Sequence, residues 1–486
     1  LEDIVDNVKF VGRKTERELL DQLLSKKTSS LVVITGRRRV GKSRLIEEFV
    51  KKHKCFMFVG LAPQKETTAQ SQRDEFALQL SQQTGLPEIK ADDWSKLFLL
   101  LAGKVDKERV IIVFDEVSWL GSKDPDFLGK LKNAWDTFFK KNFKLIFILC
   151  GSVSSWIEKN ILSGSEFFGR VSLKITLEEL SVNSAVKMLD YIGFRRSSYE
   201  KFMLLSVLGG IPWYIELINP ILSAENNIKQ LCFFKDGILT DEFKKIFHDL
   251  FGRKGEICRR IVECLSNGSA EYKEIVSVLN YYSGGSLSDY LNDLVISGFI
   301  KRDYTWAINS GKDTSLSKYR LCDNYLRFYL KYIAPKINQI KKGQYADLSI
   351  NSLPGWSSII GFQFENLVLN NRKLIWNMLK LKPEDILNDN PFFQRKTLKQ
   401  KGCQIDYLIQ TKHKTLFACE IKFYKNEVGL KVVEDVKQKL SKINVAKGFV
   451  VLPVLIYVGG ITQEVKDSDY FYSIIDFCDL LSLDLL

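Results

Sequence analysis

Hydrophobic and polar positions divide the chain into stretches of different kinds. Unbroken apolar runs stand at Leu31–Thr35 ("LVVIT"), at Val110–Phe114 ("VIIVF") and within "KLIFILCGS". Short runs of this type, bounded by turn residues, predict strands buried on both faces of a parallel sheet. Residues 255–330 change to short helical patterns separated by turns. In "GEICRRIVECLSNG" Ile257, Ile261, Val262 and Leu265 share one face, and in "GSLSDYLNDLVISGF" Leu287, Leu291, Leu294 and Val295 do, with Ser286 or Ser288 as the expected cap. "APKINQIKKGQYADLSINSLPGW" reads as a polar connector. After it, "GFQFENLVLNN" predicts a helix. "NPFFQRKTLKQKGCQIDYLIQ" and "KTLFACEIKF" predict a β-hairpin, and "KGFVVLPV" a further core strand.

The first apolar run leads directly into Gly36-Arg-Arg-Arg-Val-Gly-Lys-Ser43 and then a helical pattern. Strand, glycine-rich loop and helix in that order are the context of a phosphate-binding loop. Gly36 and Gly41 let the backbone curl so that its N–H groups face phosphate, and the helix adds its positive end. The expected nucleotide-binding segment is Gly36, Arg39, Val40, Gly41, Lys42, Ser43 and Arg44. Lys42 reaches the β- and γ-phosphates and Ser43 ligates Mg²⁺. Arg37, Arg38 and Arg39 are not needed for the cradle; they face a partner, a second nucleotide-binding surface or solvent. The run "RVIIVFDEVSWL" puts Asp115 at a strand end to hold the Mg²⁺ shell and Glu116 beside it to position or deprotonate water. Ser152, ending the third run, is placed to sense the γ-phosphate. Arg170 in "EFFGRV" is a candidate arginine finger, in cis or toward a neighbouring subunit.

In the last third, Glu420 and Lys422 are two apart on one strand and so face one side. Asp406 comes from the neighbouring strand. Two carboxylates and an ammonium then converge, as metal-assisted phosphodiester cleavage requires. Asp406 and Glu420 are the candidate Mg²⁺ or Mn²⁺ ligands, with the carbonyl of Ile421 and with Glu365 completing the acidic set. Lys422 orients or activates the water. The alternative is a strand pair carrying an ordinary surface Glu–Lys pair.

Composition adds a partner and a compartment. The net charge of +13 fits either an acidic partner such as nucleic acid or a solvated lysine-rich surface. Nine scattered cysteines without a C-x-x-C, and three histidines, give no zinc site and fit a reducing, cytoplasmic setting. No stretch has the length and apolarity of a membrane span, and no signal peptide is read.

"FVGRKTERELL", "GRRRVGKS", "VFDEVSWL", "CGSVSSW", "FFGR" and "GGIPWYI" occur in this order over residues 1–250. Together they resemble the archaeal-type ATPases, a branch of the AAA+-related, STAND-like P-loop ATPases of archaea and bacteria. The resemblance implies that Val11, Gly12 and Arg13 flank the adenine and that Pro212 packs near the base on a helical lid. Residues 255–330 look like the winged helix-turn-helix that neighbours this ATPase. The helix "SLSDYLNDL" lacks cations, which favours a protein-facing or lid-like role over DNA contact through "KRDY", Lys318 and Arg320. The D…E-x-K pattern resembles the PD-(D/E)XK nucleases, with "QID" in place of "PD" and Gln438 as a supporting residue on the next helix. The expected fold is α/β: a P-loop core over 1–180, a helical lid over 181–250, a winged helix over 251–335 and a PD-(D/E)XK-like domain over 336–486. The expected function is an ATP-binding ATPase, taking ATP or ADP with Mg²⁺, coupled to a metal-dependent DNA endonuclease. The alternative is a nucleotide-controlled switch or scaffold whose last domain only binds DNA or protein. A homo-oligomer or protein partner is compatible with both.

Overall fold

A computed structural model describes residues 10–482, except 63, 65, 106–107, 153–154, 165–166, 282–285, 399 and 446. Parts of the "CGSVSSW" and "EFFGRV" motifs, Val153, Ser154 and Glu166, lie outside the described residues. Two compact units divide at Glu179/Leu180.

In the first unit, strands β1 (Ser30–Gly36), β2 (Lys54–Val59), β3 (Val110–Asp115), β4 (Ile146–Ser152) and β5 (Val171–Leu177) form one parallel sheet. Its order is β2-β3-β4-β1-β5. The three apolar runs are the three central strands, and every residue of β1, β3 and β4 is buried. Strands β2 and β5 form the edges. Strand β5 alternates polar and apolar residues, which hides it from a reading that looks for continuous apolar runs, whereas β2 is a short apolar run, only partly buried. Beside the sheet lies an aromatic core: Phe58 stacks on Phe76 at 4.2 Å between centroids, and Phe76 meets Trp94 and Phe114 edge-on at 5.4 Å. Aromatic pairs of this kind add to plain burial.

The second unit opens with helices Val182–Tyr191, Ser198–Leu208 and Pro212–Glu216. Phe202 packs edge-on to Phe364 at 5.4 Å. Helices Gly255–Leu265, Tyr272–Leu279 and Ser286–Ile296 then precede an antiparallel pair, β6 (Ile300–Ala307) and β7 (Lys312–Leu321). Ala270, between the first two of these helices, bridges to Tyr319 of β7. Ser286 and Ser288 sit inside the third helix, so neither caps it.

The remaining strands are β8 (Ile386–Gln394), β9 (Cys403–Thr411), β10 (Thr415–Phe423), β11 (Val450–Val458) and β12 (Ser473–Asp476). They form a mixed sheet in the order β12-β11-β10-β9-β8. Strands β8, β9 and β10 run antiparallel, while β10, β11 and β12 run parallel. Helix Lys431–Leu440 crosses between β10 and β11, and helix Trp356–Asn370 packs on β10.

Arg320 corrects one expectation. It does not present a cation to solvent: it is buried, its Nε donates to Asp303 Oδ2 at 2.8 Å, and its Nη1 bonds Asn366 on helix Trp356–Asn370. The aspartate of "KRDY" is buried with it. Asp303 pairs with Lys318, two residues from Arg320, so the two share one face of the hairpin. Removing one partner of a buried pair strands the other charge, at a cost of roughly 3–5 kcal/mol. Asp303→Ala is therefore expected to lower the urea-unfolding free energy of the second unit by that amount. A loss below about 1 kcal/mol, the size of an exposed pair, would show that Arg320 re-solvates freely.

Candidate nucleotide site and carboxy-terminal acidic cluster

The loop from Gly36 to Ser43 leaves the carboxy-terminal end of β1 and enters helix Lys42–Val50. Gly41 has φ 89° and Arg39 φ 68°, the left-handed turns that bend the loop back on itself. A Cβ on Gly36 would meet the Leu177 carbonyl at 2.7 Å, so only glycine lets β5 pass this close. Lys42 is buried and its ammonium donates to the Gly36 and Arg37 carbonyls at 3.0 and 3.1 Å. It is thereby held inside the curl of the loop.

Strand β4 lies between β1 and β3, yet the loop and the acidic pair meet across it. Ser43 Oγ donates to Asp115 Oδ2 at 2.8 Å. A hydroxyl and a carboxylate converging at a helix start are hard oxygen donors, and they fit Mg²⁺. Glu116 adopts φ 50°, ψ 48°, an uncommon conformation for a residue with a side chain. Its carboxylate faces Ser152, whose N–H and Oγ both lie at 3.4 Å. Burial raises the Glu116 pKa, the Lys42 charge opposes this, and the Asp115 charge adds to it. A raised pKa makes this carboxylate a stronger base.

Arg13 has a role the sequence did not indicate. Its Nη2 donates to the Val40 carbonyl at 2.9 Å and to the Glu178 carbonyl at 2.6 Å. Gly12, at φ 78°, turns the chain ahead of it. The guanidinium thus braces the loop against the segment after β5, so its side chain is engaged with protein. Arg37 is buried beside Glu179, with 3.6 Å between Nη1 and Oε1, so it does not face solvent. Arg38 lies over the Trp119 ring at 5.5 Å. Arg44 pairs with Glu47 one turn along its helix.

Arg170 corrects the expectation of a finger in cis. It immediately precedes β5, whose Val171 pairs with Leu31 at the start of β1. The phosphate loop is at the other end, about 20 Å away at the rise of a strand. There Arg170 makes a two-point pair with Asp136, Nε to Oδ1 at 3.1 Å and Nη2 to Oδ2 at 2.8 Å. Pro212 is the first residue of helix Pro212–Glu216 in the second unit.

Residues 10–218 match the profile of a family described as an ATPase domain predominantly from Archaea. The chain carries an archaeal-type ATPase domain. An uncharacterized protein of Methanocaldococcus jannaschii is 25% identical over 363 residues, 74% of this chain and 76% of that one. An uncharacterized ATP-binding protein of the same organism is 43% identical over 47 residues, 10% of this chain and 80% of that one. Among solved structures, the Walker-type ATPase of Pyrococcus abyssi superposes with a TM-score of 0.49 at 18% identity, covering 66% of this chain and 96% of that one.

Outside the ATPase domain, the β9–β10 hairpin builds a second cluster. Cys419 pairs with Tyr407, so one step further along the register Glu420 faces Asp406. The Ile421 amide donates to Asp406 Oδ2 at 3.0 Å, and Lys422 pairs with Glu420 at 2.7 Å. Glu420 is buried. The supporting residue from helix Lys431–Leu440 is Lys439 and not Gln438. Val432, Val433 and Val436 form the buried face; 439 continues that face, while Gln438 is exposed. The Lys439 ammonium reaches Asp406 Oδ1 at 3.5 Å and also bonds Glu420 Oε2.

The expected metal ligands Asp406 and Glu420 are joined here by a lysine, with Glu365 near them. Among the described residues no three His, Cys, Asp or Glu side chains converge closely enough to hold a metal ion. The cation between the two hairpin carboxylates is the Lys439 ammonium. Burial opposes the charge on Lys422, but the Glu420 and Asp406 carboxylates together outweigh it and lift the pKa to about 12. Burial and the Glu420 charge raise Asp406. Glu365 is pushed up to about 8 by burial and then by the Asp406 charge, against the pull of Arg327, Arg320 and Lys422.

Two outcomes follow. Carbon-13 NMR of Glu365 in metal-free protein is expected to titrate near 8 instead of the ordinary 4.5, and Asp406→Asn to lower that midpoint. The folded chain keeps a proton that the unfolded chain has released, so the second unit loses stability as pH rises from 4.5 to 8. A midpoint at the ordinary value would mean that water solvates the cluster. In the ATPase domain, Ser43→Ala is expected to weaken Mg²⁺-nucleotide binding in calorimetry while leaving metal-free ADP binding nearly unchanged. Equal losses in both would remove Ser43 from the metal position.

Proposed function

We propose that this chain is an ATP-hydrolysing machine in which the ATPase domain controls a carboxy-terminal module that acts on DNA. The observation that carries the first half is the hydrogen bond from Ser43 to Asp115, with Glu116 held by Ser152 beside it. Loop amides from Gly36 to Ser43 and the Lys42 ammonium would cradle the phosphates. Ser43 and Asp115 would hold Mg²⁺, which neutralises phosphate charge when bound. Glu116 would orient a water and accept its proton. Val11 and Gly12 would flank the adenine, and Pro212 would pack near the base. Arg170 would serve the site of a neighbouring copy, which requires it to leave Asp136.

For the second half, the reading is a PD-(D/E)XK nuclease-like module following a winged helix. Three helices, the hairpin β6–β7 and the bridge from Ala270 to Tyr319 support the winged helix. The mixed sheet and the convergence of Asp406, Glu420 and Lys422 support the nuclease-like module. One observation favours a second reading, a nucleotide-controlled switch that binds DNA or protein without cutting. The Lys439 ammonium bridges the two carboxylates that a metal would need.

Two assays separate these readings. ATP turnover by the purified chain should fall at least about 100-fold in Lys42→Ala, with the circular-dichroism spectrum unchanged; normal turnover would sink the ATPase reading. Incubation with supercoiled and branched DNA and Mg²⁺ or Mn²⁺, with and without ATP, should give cleavage that Asp406→Ala and Lys422→Ala both abolish. Intact DNA in every condition, with nucleotide retained through purification, would establish the switch instead.

A further inference from the structure

Strands β8 and β9 are joined by a turn unlike one that only reverses the chain. Short connections favour Gly, Asn, Asp and Pro. From position 395 this one reads Arg-Lys-Thr-Leu-Lys-Gln-Lys-Gly. The Thr397 amide donates to the Gln400 carbonyl at 2.9 Å, which puts Leu398 at the tip. Leu398 is 108% exposed, the highest value of any large apolar side chain among the described residues. Arg395, Lys396 and Lys401 are exposed around it.

The base of the turn is tied into the fold. Gln394 donates to the Lys401 and Lys442 carbonyls at 2.6 and 2.9 Å and accepts from the Asn444 amide at 3.0 Å. Arg395 pairs with Glu271, and Lys318 of β7 stands 5.4 Å from the Phe393 ring. The turn also adjoins the acidic cluster. Cys403, at its end, is three residues from Asp406, about 10 Å along the strand. The Cys403 thiol donates to the Lys439 carbonyl at 3.3 Å.

A bare leucine on a narrow two-stranded ribbon, flanked by cations, is the chemistry of a minor-groove wedge. We propose that the β8–β9 turn is a double-stranded DNA contact. Lys396 and Lys401 hold phosphates on either side of the groove, and Leu398 enters between adjacent base pairs. The turn delivers the backbone toward the Asp406–Glu420 hairpin. This role rests on the reading of the second unit as DNA-directed and does not require that the cluster cut.

The test is fluorescence anisotropy of the full chain on a short labelled duplex across a salt series, with 2-aminopurine fluorescence reporting unstacking. All three residues are exposed, so the variants should keep the wild-type melting profile. Lys396→Glu with Lys401→Glu should weaken binding at least tenfold and flatten the log–log salt slope by about 2, near 0.9 for each phosphate that the chain no longer neutralises. Leu398→Ala should keep the slope and lose the 2-aminopurine rise. If wild type and both variants bind with one affinity and one slope, the turn does not touch the duplex, while the DNA-directed reading stands. If the wild-type chain binds no duplex at any salt, the turn's role and the DNA-directed reading fall together.

Discussion

The first unit depends on one constraint: β1 and β3 do not pair, because β4 lies between them. Phosphate loop and acidic pair therefore leave the same edge of the sheet one strand apart, and side chains must close the gap. Ser43 closes it by reaching Asp115. Ser152, at the end of the intervening strand, is in place to hold Glu116. The glycine at 36 admits β5 on the other side of β1. Each functional group of the loop region is thus fixed by strand order, and the fully buried central strands keep that order rigid.

The two sites use buried charge in different ways. In the ATPase domain, the Lys42 ammonium rests on carbonyl oxygens of its own loop. Carbonyls satisfy it without neutralising it, so the charge stays available to an anion. In the second unit the ammonium groups of Lys422 and Lys439 lie on carboxylates. A cation already matched in this way has less to offer a phosphate.

What the sequence could and could not tell follows from the range over which each interaction acts. The phosphate loop was readable because strand, loop and helix are contiguous and each glycine has a local reason. The Asp406, Glu420, Lys422 constellation was readable because a hairpin is short and strand periodicity is strict. Strand β5 was not, since it alternates polar and apolar positions. The distance of Arg170 from the loop depends on the direction in which the chain re-enters the sheet, which no local pattern carries. Arg320 looked like a surface cation because its partners, Asp303 and Asn366, are distant in sequence. Gln438 was preferred to Lys439 for want of the helix phase; the valine triplet at 432, 433 and 436 was the available signal.

The acidic cluster also has an electrical consequence. Lys422 and Lys439 both pair with Glu420, Lys439 also reaches Asp406, and Glu365 keeps its proton up to about pH 8. A polyanion approaching this face below that pH meets two carboxyl groups with ammonium groups already against them and a third that is a neutral acid.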